Sequence, residues 1–465
     1  MSRKVNEADS VSLATHLALG VSHMLRASLL VCFAALPAFA DDWPQWMGPN
    51  RDGQWKESGI VAKFPKGGPK KIWSVPINGG YSGPAVVNGK VYVTDYEASE
   101  GKRGNTFDGQ SKRKGKERVL CLDGKTGKEL WKHEYDCPYQ VSYNSGPRCT
   151  PTVADGKVFT LGAMGDLHAL DAEKGTPIWS KDFKKDYNAK TPIWGFTGHP
   201  LVYKDTVVCL VGGDSLLVAF DKNTGKEVWK SLTTPGERRA GYCPPTLIEA
   251  GGTKQIVLWQ PEKVVSVNAD DGKKLWDVEL KTYQSMSIMG PQKHGDYLFV
   301  GGIGYFSVVL KLDKTKPAVE EVWRGTQKNS VYPVNMTPII DDGIIYGVDA
   351  SGVLRGVKLE TGERLWWTQK AVTGKEDEKE EKRINSGTAF LVKNGDRYFI
   401  FSETGHLIIA RLSPKGYEEI DRAKLLDTTN ESFGRPVVWS HPAFANKSIF
   451  ARNDKEIVCY SLAGD

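Results

Sequence analysis

Ten side chains with binding chemistry recur at one kind of place in this chain: Arg148, Trp194, His199, Arg239, Tyr242, Tyr332, Asn335, Asn385, Trp439 and His441. Each lies in a segment, marked by Pro or Gly, that leads into an apolar run, as in SGPRCTPTV from Ser145, WGFTGHPLV from Trp194 and VVWSHPAF from Val437. Aromatic faces with guanidinium and amide donors suit stacking on a planar anion or a sugar. His199 and His441, with Cys149 and Cys243, sit at comparable positions but lack the close spacing of a metal site, so no metal ligand is assigned. No G-x-S-x-G, H-E-x-x-H, P-loop or nucleotide-binding glycine fingerprint is present, and no acidic pair stands out for glycoside chemistry. No residue is therefore assigned a catalytic role.

What must position these loops is a repeat. Residues 221–229 read DKNTGKEVW, and related copies occupy residues 123–131 (DGKTGKELW), 171–179 (DAEKGTPIW), 268–276 (NADDGKKLW) and 358–366 (KLETGERLW), with a degenerate copy ending at Trp323. Each has the form of a β-hairpin whose Gly takes the positive φ that ends the turn. Alternation beyond the turn, as in Glu227-Val228-Trp229-Lys230, gives a strand with one apolar face. Successive tryptophans from Trp131 to Trp366 are 48, 50, 47, 47 and 43 residues apart. Such a period, with four strands per repeat, predicts an all-β fold, a β-propeller.

Residues 71–77 (KIWSVPI) resemble the last strand of a repeat that lacks the strands before it, whereas residues 440–462 have the first three strands and then stop. The N-terminal strand is therefore expected to complete the last blade, which removes an exposed sheet edge. Counted this way the propeller has eight four-stranded blades over residues 71–465. The ten side chains then lie on loops leading into innermost strands and converge on one mouth of the channel. Residues 41–70 form a Trp-rich arm (DDWPQWMGPNRDGQW at its start), expected to dock on the propeller side or at one mouth.

The net charge of +6 in 465 residues is spread along the chain and points to solubility, not to nucleic acid. Residues 101–118 and 374–383 are charge runs expected to be solvated loops. Residues 24–40 have the form of a secretory signal: Arg26, a short apolar core, and Ala38-Phe39-Ala40 as the cleavage site. The run is too short for a membrane span. Residues 1–23 fit no signal, which makes Met24 an alternative start. An exported monomer, periplasmic or secreted, is expected, cleaved after Ala40. Its six remaining cysteines permit disulfides, Cys137 with Cys149 being the most local pair, or serve as small core residues, as the strand positions of Cys121, Cys209 and Cys459 suggest.

The repeats VAFDKNTGKEVW (residues 218–229) and HALDAEKGTPIW (residues 168–179) resemble those of the quinoprotein, pyrroloquinoline-quinone-like propeller family. The resemblance implies two roles. Quinoprotein alcohol dehydrogenases hold pyrroloquinoline quinone and calcium in the channel beside a disulfide of adjacent cysteines. No two cysteines are adjacent here, and the calcium ligands and catalytic acid match no position. BamB-type scaffolds of the outer-membrane assembly machinery share the repeat and keep an empty channel. The reading favoured by the sequence is a non-catalytic binding or scaffold module with a protein partner or a small anionic or sugar ligand. A divergent quinone-dependent dehydrogenase is the alternative, and carbohydrate recognition at Trp194 and Trp439 is a third.

Overall fold

A computed structural model describes residues 41–104, 111–237, 239–379 and 381–464; the signal expected at residues 24–40 lies outside them. Eight antiparallel sheets follow one another along the chain, each with four strands in meander order. The second blade is typical: Thr152–Ala154, Lys157–Leu161, Asp166–Asp171 and Pro177–Asp182, from the channel outward. The last blade is Ala443–Ala445, Ser448–Arg452 and Glu456–Ser461, completed by Lys71–Pro76 pairing along Glu456–Ser461. This is the closure that the split repeat predicted.

The repeat motif has a local cause and a long-range one. Locally, the Asp221 carboxylate accepts from the backbone N–H of Asn223 (3.0 Å) and Thr224 (2.7 Å) and from the Thr224 hydroxyl, which builds the turn that Gly225 ends at φ +69°. The long-range cause lies in the neighbouring blade. A Cβ on Gly225 would stand 2.7 Å from the Trp179 ring, and one on Gly175 would stand 2.4 Å from Trp131. Each Gly is thus the seat for the Trp of the preceding blade. The indole N–H usually completes the joint: Trp131 Nε1 donates to Ala172 O (3.0 Å), Trp179 Nε1 to Lys222 O (3.1 Å) and Trp323 Nε1 to Leu359 O (2.8 Å).

Two expectations need correction. The basic segment 101–118 is not a loop throughout, because Lys112–Asp123 is a strand that pairs with Lys90–Glu100 and extends the first blade. Carboxylates across the pair neutralise it, Arg118 bridging Asp95 at 2.7 Å and Lys114 meeting Glu100 at 2.9 Å. The six cysteines from Cys121 to Cys459 are all free and buried. Cys137 and Cys149 do not pair: the Cys137 thiol donates to Asp166 (3.7 Å) and that of Cys149 to Phe196 O (3.8 Å).

Candidate functional site

The loops that lead into the innermost strands enclose a cavity of about 590 Å³ at one mouth of the channel. Eight of the ten side chains singled out in the sequence line it: Arg148, Trp194, His199, Tyr242, Asn335, Asn385, Trp439 and His441. The other two do not. Arg239 lies in a separate depression of about 200 Å³, 3.2 Å from Ser285 Oγ and 3.5 Å from Glu262. Tyr332 is buried, and its hydroxyl donates to Thr326 O while its ring meets Tyr305 edge-on.

One lining residue of the cavity, Trp46, comes from the arm, which the sequence reading placed on the propeller side or at one mouth of the channel. The arm runs inside the ring, along strand edges that face the channel. Trp43 exchanges backbone hydrogen bonds with Val86 of the first blade, Val153 N donates to Pro44 O in the second, and Trp55 N donates to Lys393 O in the seventh. Buried Arg51 bonds Pro245 O (3.0 Å), Pro200 O and Gln45 Oε1 (2.9 Å), tying the arm to the third and fourth blades. Trp46 then stands in the cavity, its ring stacked on His199 at 4.9 Å and 9°, with its N–H donated to His441 Nε2 at 3.3 Å. Three tryptophans in fifteen irregular residues were the available signal; their destination was not readable.

Most lining groups are already engaged. Arg148 gives Nε–H to Trp194 O (2.9 Å) and Nη2 to Ser142 O and Tyr143 O (2.7 Å each), and its guanidinium lies 5.3 Å from the centre of the Tyr81 ring. It clamps two loops together, its partners being carbonyl oxygens and the Tyr81 ring. His199 Nδ1 accepts from Thr150 N (3.0 Å), so each of these two imidazoles uses one nitrogen as an acceptor. Burial drives His441 down to about 3 and His199 well below the ordinary histidine range, the Arg51 charge adding to the latter. Both are neutral at neutral pH. Trp439 donates to Glu403 (2.9 Å) and stacks near Tyr143 at 5.9 Å.

Among the described residues no carboxylate lines the cavity. The lining therefore does not fit a calcium ion, which takes six to eight oxygen ligands with carboxylates among them. Among the described residues it also offers no acid that could serve as a general base, and the free, separated cysteines exclude the disulfide of adjacent residues. Two arginines, three tryptophans and amides at Asn335 and Asn385 suit a planar, negatively charged group held by stacking and donated hydrogen bonds.

The fold and the cavity together define an eight-bladed propeller of the pyrroloquinoline-quinone-like repeat class. The family described as outer membrane protein assembly factor BamB matches residues 115–289 and 262–465, and the chain belongs to it. Quinohemoprotein alcohol dehydrogenase ADH IIB of Pseudomonas putida is 32% identical over 174 residues, 34% of this chain and 23% of the enzyme. The assembly factor BamB of Shewanella oneidensis is 27% identical over 232 residues, 48% of this chain and 57% of that protein. The matches thus span well under two thirds of either relative. BamB of Moraxella catarrhalis superposes with a TM-score of 0.52 at 14% identity, covering 84% of this chain and 97% of that one. Quinohemoprotein alcohol dehydrogenase of Comamonas testosteroni gives 0.56 at 14% identity, covering 91% and 81%. At such identities these likenesses concern the fold alone. Among the described residues no helix is long and apolar enough to cross a membrane.

Proposed function

We propose that this chain is an exported, non-catalytic propeller module that receives a planar, negatively charged group in its loop-face cavity, carried on a small ligand or on a protein partner. The observation that carries the reading is the lining: aromatic walls and arginines, with no carboxylate among the described residues. Such a site stacks and neutralises an anion but offers neither a calcium seat nor a proton acceptor of carboxylate type. A protein partner accords with the assembly role in the names of the BamB relatives.

The alternative is a divergent quinone-dependent dehydrogenase, favoured by the same stacking walls and by the similarity to the alcohol dehydrogenases. Titrating the protein with pyrroloquinoline quinone, a planar tricarboxylate, tests both readings. Quenching of tryptophan fluorescence that is indifferent to calcium, with no reduction of an artificial electron acceptor by alcohols or sugars, is the expected result. Calcium-dependent binding with turnover would replace the module by the enzyme. Carbohydrate recognition predicts instead a glycan-array signal lost in Trp194→Ala and Trp439→Ala.

A further inference from the structure

The seam between the first and second blades holds four buried polar atoms that have no partner: Nε2 of His133, both ring nitrogens of His168, and the hydroxyl of Thr160. They belong together. His168 and Thr160 face each other across neighbouring strands of the second blade, and His133, on the outer strand of the first, brings its ring to 5.2 Å from His168 at an interplanar angle of 61°. Each orphaned group carries an unrepaid desolvation cost if nothing satisfies it. Three residues before the motif Asp or Asn, where this blade has His168, its neighbours carry Leu120, Val218 and Val265, all buried. An imidazole in that apolar position calls for an occupant.

We propose that this seam binds one tetrahedral transition-metal ion, zinc being the fitting one, on His133 and His168, with the Thr160 hydroxyl and water completing the shell. Zn–N bonds of about 2.0–2.1 Å put each imidazole centroid about 3.2 Å from the metal, so two such ligands at a tetrahedral angle have centroids about 5.2 Å apart. The two histidines already stand at that separation. Burial lowers the affinity of both rings for protons, to about 4 at His168, which leaves their lone pairs available at neutral pH. Tyr135 packs on His168 at 4.5 Å and is anchored through its hydroxyl to Glu117, which holds the ring in place. No set of three His, Cys, Asp or Glu side chains converges among the described residues, so oxygen ligands make up the shell and the ion joins two blades without rigidly caging itself.

The test uses the whole chain, stripped with a chelator, reloaded with zinc or cobalt(II) and dialysed. One zinc per chain and the visible absorption of tetrahedral cobalt are expected. His133→Gln and His168→Leu should each retain less than a tenth of the metal, while His294→Gln keeps it all. His168→Leu restores the residue type of the other blades, so its folding, checked by near-ultraviolet circular dichroism, is secure. Absence of zinc above trace in the reloaded parent, octahedral cobalt alone, or full metal content in the two variants overturns the proposal.

Discussion

Trp131 and Trp229 occupy the same place in two repeats, with that of Trp179 between them, and are buried to the same degree, 9% and 8% exposed. Each ring lies on a glycine of the next blade, Gly175 and Gly272. They differ in one atom pair: Trp131 Nε1 donates to Ala172 O at 3.0 Å, whereas Trp229 Nε1 is buried without an acceptor. Truncating a buried Trp to Ala costs about 3–5 kcal/mol through lost transfer energy and the cavity left behind. Trp131→Ala also forfeits a hydrogen bond worth about 1 kcal/mol, while Ala172 O keeps the Tyr92 hydroxyl at 3.2 Å. Trp229→Ala instead removes an orphaned donor and recovers about 1–3 kcal/mol. The first variant should therefore lose about 2–4 kcal/mol more than the second. Urea unfolding at constant m measures the gap, since m tracks the surface exposed. Trp→Phe at the two sites isolates the indole N–H, and should be nearly neutral at 229 and costly at 131. Equal losses, or a larger loss at Trp229, would refute the account of the interblade joint. A loss under about 1 kcal/mol at Trp131 would refute its burial, since truncating a buried Trp costs about 3–5.

The other expectations concern backbone, arm, acid and thiols. Gly225→Ala combines φ +69° with a Cβ 2.7 Å from the Trp179 ring and should cost about 2–4 kcal/mol, whereas Gly343→Ala, at φ +72° with open space, should cost about 1–2 in the same urea assay. Arg51→Ala strands the Pro245 carbonyl and removes the arm's tie to Pro200 O, so the arm should become cleavable by dilute protease in the native state; unchanged resistance would contradict its anchoring role. His168, at about 4, and His441, at about 3, are depressed below the unfolded value of about 6.5. The unfolded chain then binds more protons, so stability is full above pH ~6.5 and falls as pH drops through about 4 and 3. A melting temperature flat from pH 7 to 4 would contradict the burial of these rings. Burial raises the described thiols, those of Cys121, Cys243 and Cys459 to about 12, so a thiol reagent should label none of these six until the protein unfolds.

What the sequence determined by itself is what repeats locally. A Gly at a fixed offset from Asp and Trp, short strands with alternating faces, and a split last blade were enough to read eight blades, the closing strand and the loops that converge on one mouth. Each of those features is decided within a few residues or by copying along the chain. Contacts across blades were not legible in this way, even where they repeat. Nothing local distinguishes Arg148, whose loop turns into the cavity, from Arg239, whose loop points into a side depression. The arm shows the same limit, because its aromatic content announced burial while the strand edges lining the channel chose where. The role of each repeat glycine as a seat for a distant Trp was likewise hidden, since a turn alone already accounts for it. Local hydrogen bonding and periodicity are encoded in adjacent residues; which surfaces meet after the ring closes depends on packing among residues far apart in the chain, and the tertiary structure decided it.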